Sequence, residues 1–429
     1  PTRSARWQRR ARPGMSASSE RPIGTDLVPR RSSLALGNLR AFVILLVLSF
    51  HSVLAYLSFL PAEPFAFDSP PYQWRAIPII DSHRWLGFDL YCAWQDVFLM
   101  SLFFFLSGLF VWPSLSRKGV ANFLQGRLLR LGLPFALVVG ILIPPTLYPS
   151  YLQTASDPSV AAYWRHWLAL PFWPCGPMWF LWLLLVADFA VAGVFRFAPE
   201  LHNRLSRLSS VAAANPVRFF AGLLVVSVLA YVPLAFIFTP SAWFQLGPFA
   251  FQLSRPLHYA LYFFAGVGLG AGGVERGLLA ADGPLVRRWA MWVVAALVSL
   301  LAWMGLTGLT MASGSPSAGL RILADLSFVL ACLASCFGVL AVVLRFAARR
   351  LPSLSGLRDS AFGMYLVHYP FVVWLQFALL SLALPAVVKG TVVFGCTLFL
   401  SWWTVAALSR LPPFGQIIGA GRARGAAAS

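Results

Sequence analysis

Apolar runs of about 20 residues recur in this chain from Leu39 to Leu408, each long enough to cross a hydrocarbon layer about 30 Å thick. Lipid offers no partner for a backbone N–H or C=O, so runs of this length must satisfy themselves as helices. Composition agrees: 59% of residues are hydrophobic and 11% charged, too few polar residues to coat a soluble core of this size. The chain is therefore expected to be an all-α, polytopic integral membrane protein of about ten transmembrane helices. The spacing places the spans near 39–59, 93–113, 131–149, 177–197, 218–239, 256–273, 289–310, 322–345, 360–380 and 388–408.

A net charge of +19 could point to nucleic acid, but its distribution points elsewhere. With the N-terminus inside, the inner segments hold 27 of the 33 Lys/Arg, and the outer ones hold only Arg75, Arg84, Arg165, Arg255, Arg321 and Lys389. Such a bias reads as positive-inside topology, which puts both termini in the cytoplasm and leaves no call for a nucleic-acid ligand. Residues 1–33, rich in Arg, Ser and Pro without apolar periodicity, are expected to form a disordered basic cytoplasmic tail, with Met15 a candidate start. The membrane domain then covers 34–410 and a second short basic tail 411–429. No cleavable signal is expected before the first span.

Five cysteines make no disulfide framework, although Cys92 and Cys175 both fall near the outer face, where one bridge stays open. No residue set suggests a metal. The run AGVGLGAGG (265–273) lacks the preceding strand and following Lys-Ser/Thr of a phosphate loop, and suits close helix packing. The outer segments 60–92 and 150–176 are dense in Pro, Trp and Tyr, either as an interfacial aromatic belt or as a surface on which sugar rings stack.

Ionisable groups at membrane depth are costly and mark candidate sites. His51 lies eleven residues after Arg40, which at 1.5 Å per residue puts it roughly 16 Å deeper and on the same helical face. It can serve chemistry or simply satisfy a contact between helices. Arg127 and Arg130, three apart, can share a face and grip phosphate bidentately, or serve as topogenic charge against anionic lipid. Asp188, halfway along the fourth span, needs a partner such as His51 or a backbone donor. His368 reaches mid-depth with Tyr365 one turn earlier on nearly the same face. Asp96 is expected near water, and Arg321 is expected to pair with Asp325 at i+4.

The segments NLRAFVILLVLSFHS (38–52), FFFLSGLFVWPSL (103–115), FLQGRLLRLGLP (123–134), GPMWFLWLLL (176–185) and SAFGMYLVHYPFV (360–372) together resemble the acyltransferase-3 family of membrane enzymes, over about 34–408. The resemblance implies an O-acyltransferase of a bacterial inner membrane. Its donor would be a cytoplasmic acyl-coenzyme A or similar thioester used as co-substrate, with no bound cofactor, and its acceptor a carbohydrate outside. By motif, His51 is the catalytic residue, Arg40 its signature partner, and Arg127 and Arg130 hold the donor phosphates. Asp188, His368 and Tyr365 are weaker candidates. The long aromatic segment after the first helix resembles the subgroup that decorates periplasmic glucans, often with succinyl groups. A transporter or flippase of lipid-linked sugars also needs buried ionisable residues and aromatic vestibules, but its usual paired, broken spans in two repeated halves are not evident.

Overall fold

The computed structural model describes residues 31–349 and 352–411; the residues expected to form the two tails, up to residue 30 and from residue 412, lie outside it. Fifteen α-helices follow in order: α1 (Arg31–Val53), α2 (Leu86–Gly108), α3 (Val111–Arg127), α4 (Leu133–Leu137), α5 (Ile143–Leu152), α6 (Val160–Ala169), α7 (Trp179–Phe197), α8 (Pro199–Ala214), α9 (Pro216–Phe238), α10 (Pro256–Ala271), α11 (Pro284–Arg287), α12 (Trp289–Ala312), α13 (Ala318–Phe346), α14 (Pro352–Ala378) and α15 (Ala386–Leu408). Among the described residues, nine helical segments are long and apolar enough to cross a membrane, and each overlaps an expected span. The tenth expected span is α10, a helix of 16 residues.

The shortness of α10 has a visible cause. It runs parallel to α2, entering beside Asp96, ten residues into that helix, where Arg255 Nη2 meets Asp96 Oδ2 at 2.5 Å. Ahead of it the chain forms a hairpin of β1 (Trp243–Leu246) and β2 (Phe249–Gln252), paired antiparallel with Trp243 opposite Gln252. From Asp96 onward α2 and α10 press backbone to backbone. A Cβ at Gly266 would lie 2.2 Å from Phe105 O, and one at Gly270 equally close to Leu109 O. The glycine run is thus a packing surface, as its sequence context suggests.

The third crossing departs from a plain helix. Between α3 and α5 the backbone takes π turns at Leu128–Gly132 and Val138–Leu142, shortly ahead of Pro134 and Pro144. Proline removes an N–H and crowds the preceding turn, and widening that turn accommodates it.

The basic end of the bundle is the end where α1 begins. There Ser33 N and Oγ donate to Glu275 at 2.7 and 2.6 Å and Ser32 N at 3.1 Å. Burial pushes the Glu275 carboxyl up, and these hydrogen bonds more than offset it, leaving it below the ordinary carboxylate range. The last three residues assigned to the N-terminal tail, Arg31 to Ser33, are accordingly helical and anchored.

At the opposite end the aromatic segments fold into a cap. Phe67 and Trp74 stack at 4.4 Å, and Trp74, Tyr163 and Trp167 are buried. Arg75 Nη1 donates to Gln245 Oε1, and Trp173 N to Gly247 O, tying three segments of the cap together. Most of these rings form the core of the cap, so neither a lipid-facing belt nor an open stacking surface describes them. One smaller expectation is corrected. Arg321 donates to Phe236 O at 3.0 Å over that residue's ring instead of forming an ion pair with Asp325 at i+4. All five cysteines are free, and burial pushes the Cys175 thiol up to about 12, which makes it a packing group.

Candidate active site

Two helices bring two imidazoles together. α1 stops at Val53, with one 3₁₀ turn to Tyr56, so His51 occupies the last turn, closer to the capped end than a span of 39–59 implies. The last carbonyls of a helix lack intrahelical partners. Here Gln376 of α14 supplies them, its Nε2 donating to His51 O at 2.9 Å and Ser52 O at 3.2 Å. The His51 ring folds back along its own helix, as helical side chains do, and Nδ1 lies 2.9 Å from Val47 O. On α14, His368 Nδ1 lies 2.7 Å from Tyr365 O, and its Nε2 faces His51 Nδ1 at 3.4 Å.

These partners assign the protons. A carbonyl only accepts, so both Nδ1 atoms carry hydrogen when the rings are neutral. His368 Nε2 is then a bare acceptor behind His51 Nδ1–H. His51 is left with an unprotonated Nε2 that has no hydrogen-bond partner among the described residues, on a half-buried side chain. This is the state a general base or nucleophile requires. Tyr365, the weaker candidate, lends His368 its carbonyl and donates its own hydroxyl to Pro177 O at 2.6 Å. Against the Tyr369 ring lies Gly176, held at φ +51°, where a Cβ would come within 2.8 Å of it. Tyr369 itself lies 5.6 Å from the His51 ring.

The arginines gather elsewhere. Arg40 is exposed on α1, its guanidinium 3.9 Å above the Phe110 ring, and the nearby Arg127 repels it. Arg127 Nε is 3.3 Å from Asp188 Oδ2, so the buried carboxylate finds its partner in Arg127 and not in His51. Arg130 is exposed within the π turn, which rotates less per residue than an α-helix and so turns positions 127 and 130 further apart than the sequence spacing implies. Arg40 and His51 sit on one continuous helix as the spacing requires, about 16 Å apart along its axis. The geometry is a cationic group separated from a base-like imidazole by roughly half a bilayer.

The profile of an acyltransferase domain matches residues 34–406, nearly the whole membrane body and both histidines. The chain belongs to the acyltransferase 3 family. It is a multi-pass membrane acyltransferase. Neither a curated protein nor a solved structure matches this acyltransferase.

One buried cluster in this acyltransferase escaped the sequence reading. Lys389, counted there as an outer-loop charge, lies in the first turn of α15 and is fully buried, its Nζ 2.6 Å from Asp81 Oδ2. His83 Nδ1 approaches Asp81 Oδ1 at 3.2 Å and Lys389 Nζ at 3.5 Å, and Asp81 N donates to Ala55 O just after α1 ends. The cluster therefore pins the chain that leaves His51. A lysine at the start of an apolar run, with an aspartate in the preceding aromatic loop, was the only available signal.

Proposed function

We propose that this acyltransferase moves an acyl group from a cytoplasmic thioester of the acyl-coenzyme A type to a hydroxyl of an extracytoplasmic carbohydrate. In this reading it lies in a bacterial inner membrane with both termini in the cytoplasm. Glucans of the periplasm are the favoured acceptor and succinyl a favoured group, on the strength of the long aromatic segment after α1.

The observation that carries the reading is the placement of His51: Nδ1 lies 2.9 Å from Val47 O and is backed by His368, and Nε2 has no hydrogen-bond partner among the described residues. Two routes use the Nε2 lone pair. In the direct route, Nε2 takes the proton of a sugar hydroxyl as its oxygen attacks the thioester carbonyl; the C–S bond breaks and the thiolate leaves, to be protonated. In the stepwise route, Nε2 attacks the carbonyl and expels the thiolate, leaving an acyl-imidazolium; the sugar hydroxyl oxygen then attacks the acyl carbon, the C–Nε2 bond breaks, and the hydroxyl proton passes to the thiolate. Arg40, Arg127 and Arg130 supply cations for donor phosphates at the basic end, and the interval of about 16 Å suits a donor with an extended arm between phosphates and thioester.

The test uses purified protein in proteoliposomes with isotope-labelled acetyl- or succinyl-coenzyme A and periplasmic glucans or surface polysaccharide. Label in ester linkage on a glycan is the expected product. Label found only on lipid, or on none of these acceptors, would overturn the carbohydrate assignment.

A further inference from the structure

The face of α1 opposite the catalytic one borders a different feature. Arg31, Asn38 and Phe42 are spaced seven and four apart and line up on one side of α1, whereas Arg40, nine residues from Arg31, points the other way. Asn38 and Phe42 border an apolar cavity of about 480 Å³ between α1, α2, α12 and α13. Its α12 wall is Val293, Ala296, Leu297 and Leu300. At its basic end a second pocket of about 390 Å³ opens, lined by Arg31, Arg287 and Arg345 with Asp282 the one acidic group. The two pockets are stacked along the same helices: Trp289 of the basic pocket and Val293 of the cavity are one turn apart, and Arg345 stands close to Val342 and Val343.

We propose that this composite groove binds one anionic phospholipid, with its phosphate among Arg31, Arg287 and Arg345 and one acyl chain in the apolar cavity. Three observations define the occupant. Val293 and Leu297 of the α12 wall are exposed, on an apolar helix in which only Trp292 and Ser299 are buried. From Trp289 to Leu300 the groove runs eleven residues, about 16 Å, which is the depth of one leaflet in a hydrocarbon core of about 30 Å. Three guanidiniums against one carboxylate leave a surplus of positive charge at the headgroup level, where arginines attract anionic lipid. Because the groove lies on the far face of α1, the lipid can steady that helix without meeting either substrate.

The experiment measures lipid retention by the full chain in native mass spectrometry after exchange into detergent with phosphatidylglycerol or phosphatidylcholine. Wild type should carry one phosphatidylglycerol and retain it at least about tenfold better than phosphatidylcholine. Arg287→Gln/Arg345→Gln, both at exposed positions, should lose that preference about tenfold or more while its circular dichroism is unchanged. Val293→Trp should exclude both lipids by filling the cavity. Unaltered phosphatidylglycerol retention in the arginine double variant would overturn the proposal. So would thermal stabilisation by glycerol 3-phosphate equal to that by phosphatidylglycerol, because the arginines would then be a site for a free anion.

Discussion

Replacing His368 separates two roles for the second imidazole. His51 Nδ1–H has two acceptors, Val47 O at 2.9 Å and His368 Nε2 at 3.4 Å. The first lies within the ordinary hydrogen-bond range of about 2.7–3.2 Å and the second beyond it. Val47 O should therefore set the tautomer, with His368 contributing a weaker orienting contact. Losing a neutral hydrogen bond costs about 0.5–1.5 kcal/mol, and 1.4 kcal/mol is a tenfold change in rate. His368→Phe, which removes the acceptor, should lower kcat about two- to tenfold with little change in KM, and His368→Asn, whose amide oxygen can still accept, should fall at or below the lower end of that range. The assay is the initial rate of acyl transfer against donor and acceptor concentration, at matched amounts of folded protein. A loss beyond about a hundredfold in both variants would refute the argument, since general acid–base chemistry carries factors of about 10²–10⁴. His368 would then handle protons itself.

The arginine cluster makes a paired prediction: Arg127→Ala leaves the buried Asp188 without its partner, so it should lose stability as well as donor affinity. Arg127→Gln with Asp188→Asn should fold well and still raise the KM for the donor about tenfold or more, as expected for a lost charged hydrogen bond; an unchanged donor KM would reduce Arg127 to a structural ion. Lys389→Met strands Asp81 in the interior and should destabilise by about 3–5 kcal/mol, read as a fall in melting temperature, with Asp81→Asn/Lys389→Met recovering most of it. No recovery in the double variant would show that the pair does not act as a unit. Reporter fusions within 199–215 and 275–287 should report cytoplasm and those within 62–90 the outside; the reverse pattern would overturn the orientation proposed from the Lys/Arg bias.

Much of this architecture is legible because the bilayer simplifies the reading. Helix is the one structure open to a long apolar run, so the crossings fall close to where hydropathy puts them. What composition hides is how crossings adapt to each other. α10 is short because a hairpin takes the outer part of its path, and the third crossing widens around its prolines. At the site, the eleven-residue spacing of Arg40 and His51 survives intact because it depends only on one continuous helix. The partners do not follow from spacing. His368 meets His51 through the packing of α14 on α1, Asp188 meets Arg127 across two crossings, and Lys389 meets Asp81 from 308 positions away. A single sequence contains the polar groups and their depths but not their azimuths. Which acidic and basic residues pair across the apolar runs is set by the fold.

The account rests on Nε2 of His51, and the most direct measurement is acyl transfer by His51→Gln beside wild type, at equal amounts of correctly inserted protein. The glutamine amide can still donate to Val47 O, so the end of α1 and its contacts with Gln376 and His368 should persist. An amide has no lone pair basic or nucleophilic enough to replace imidazole nitrogen at neutral pH. Turnover is expected to fall by at least about a hundredfold with donor binding retained. Turnover within a few-fold of wild type would contradict the central claim and leave His51 a polar contact between helices.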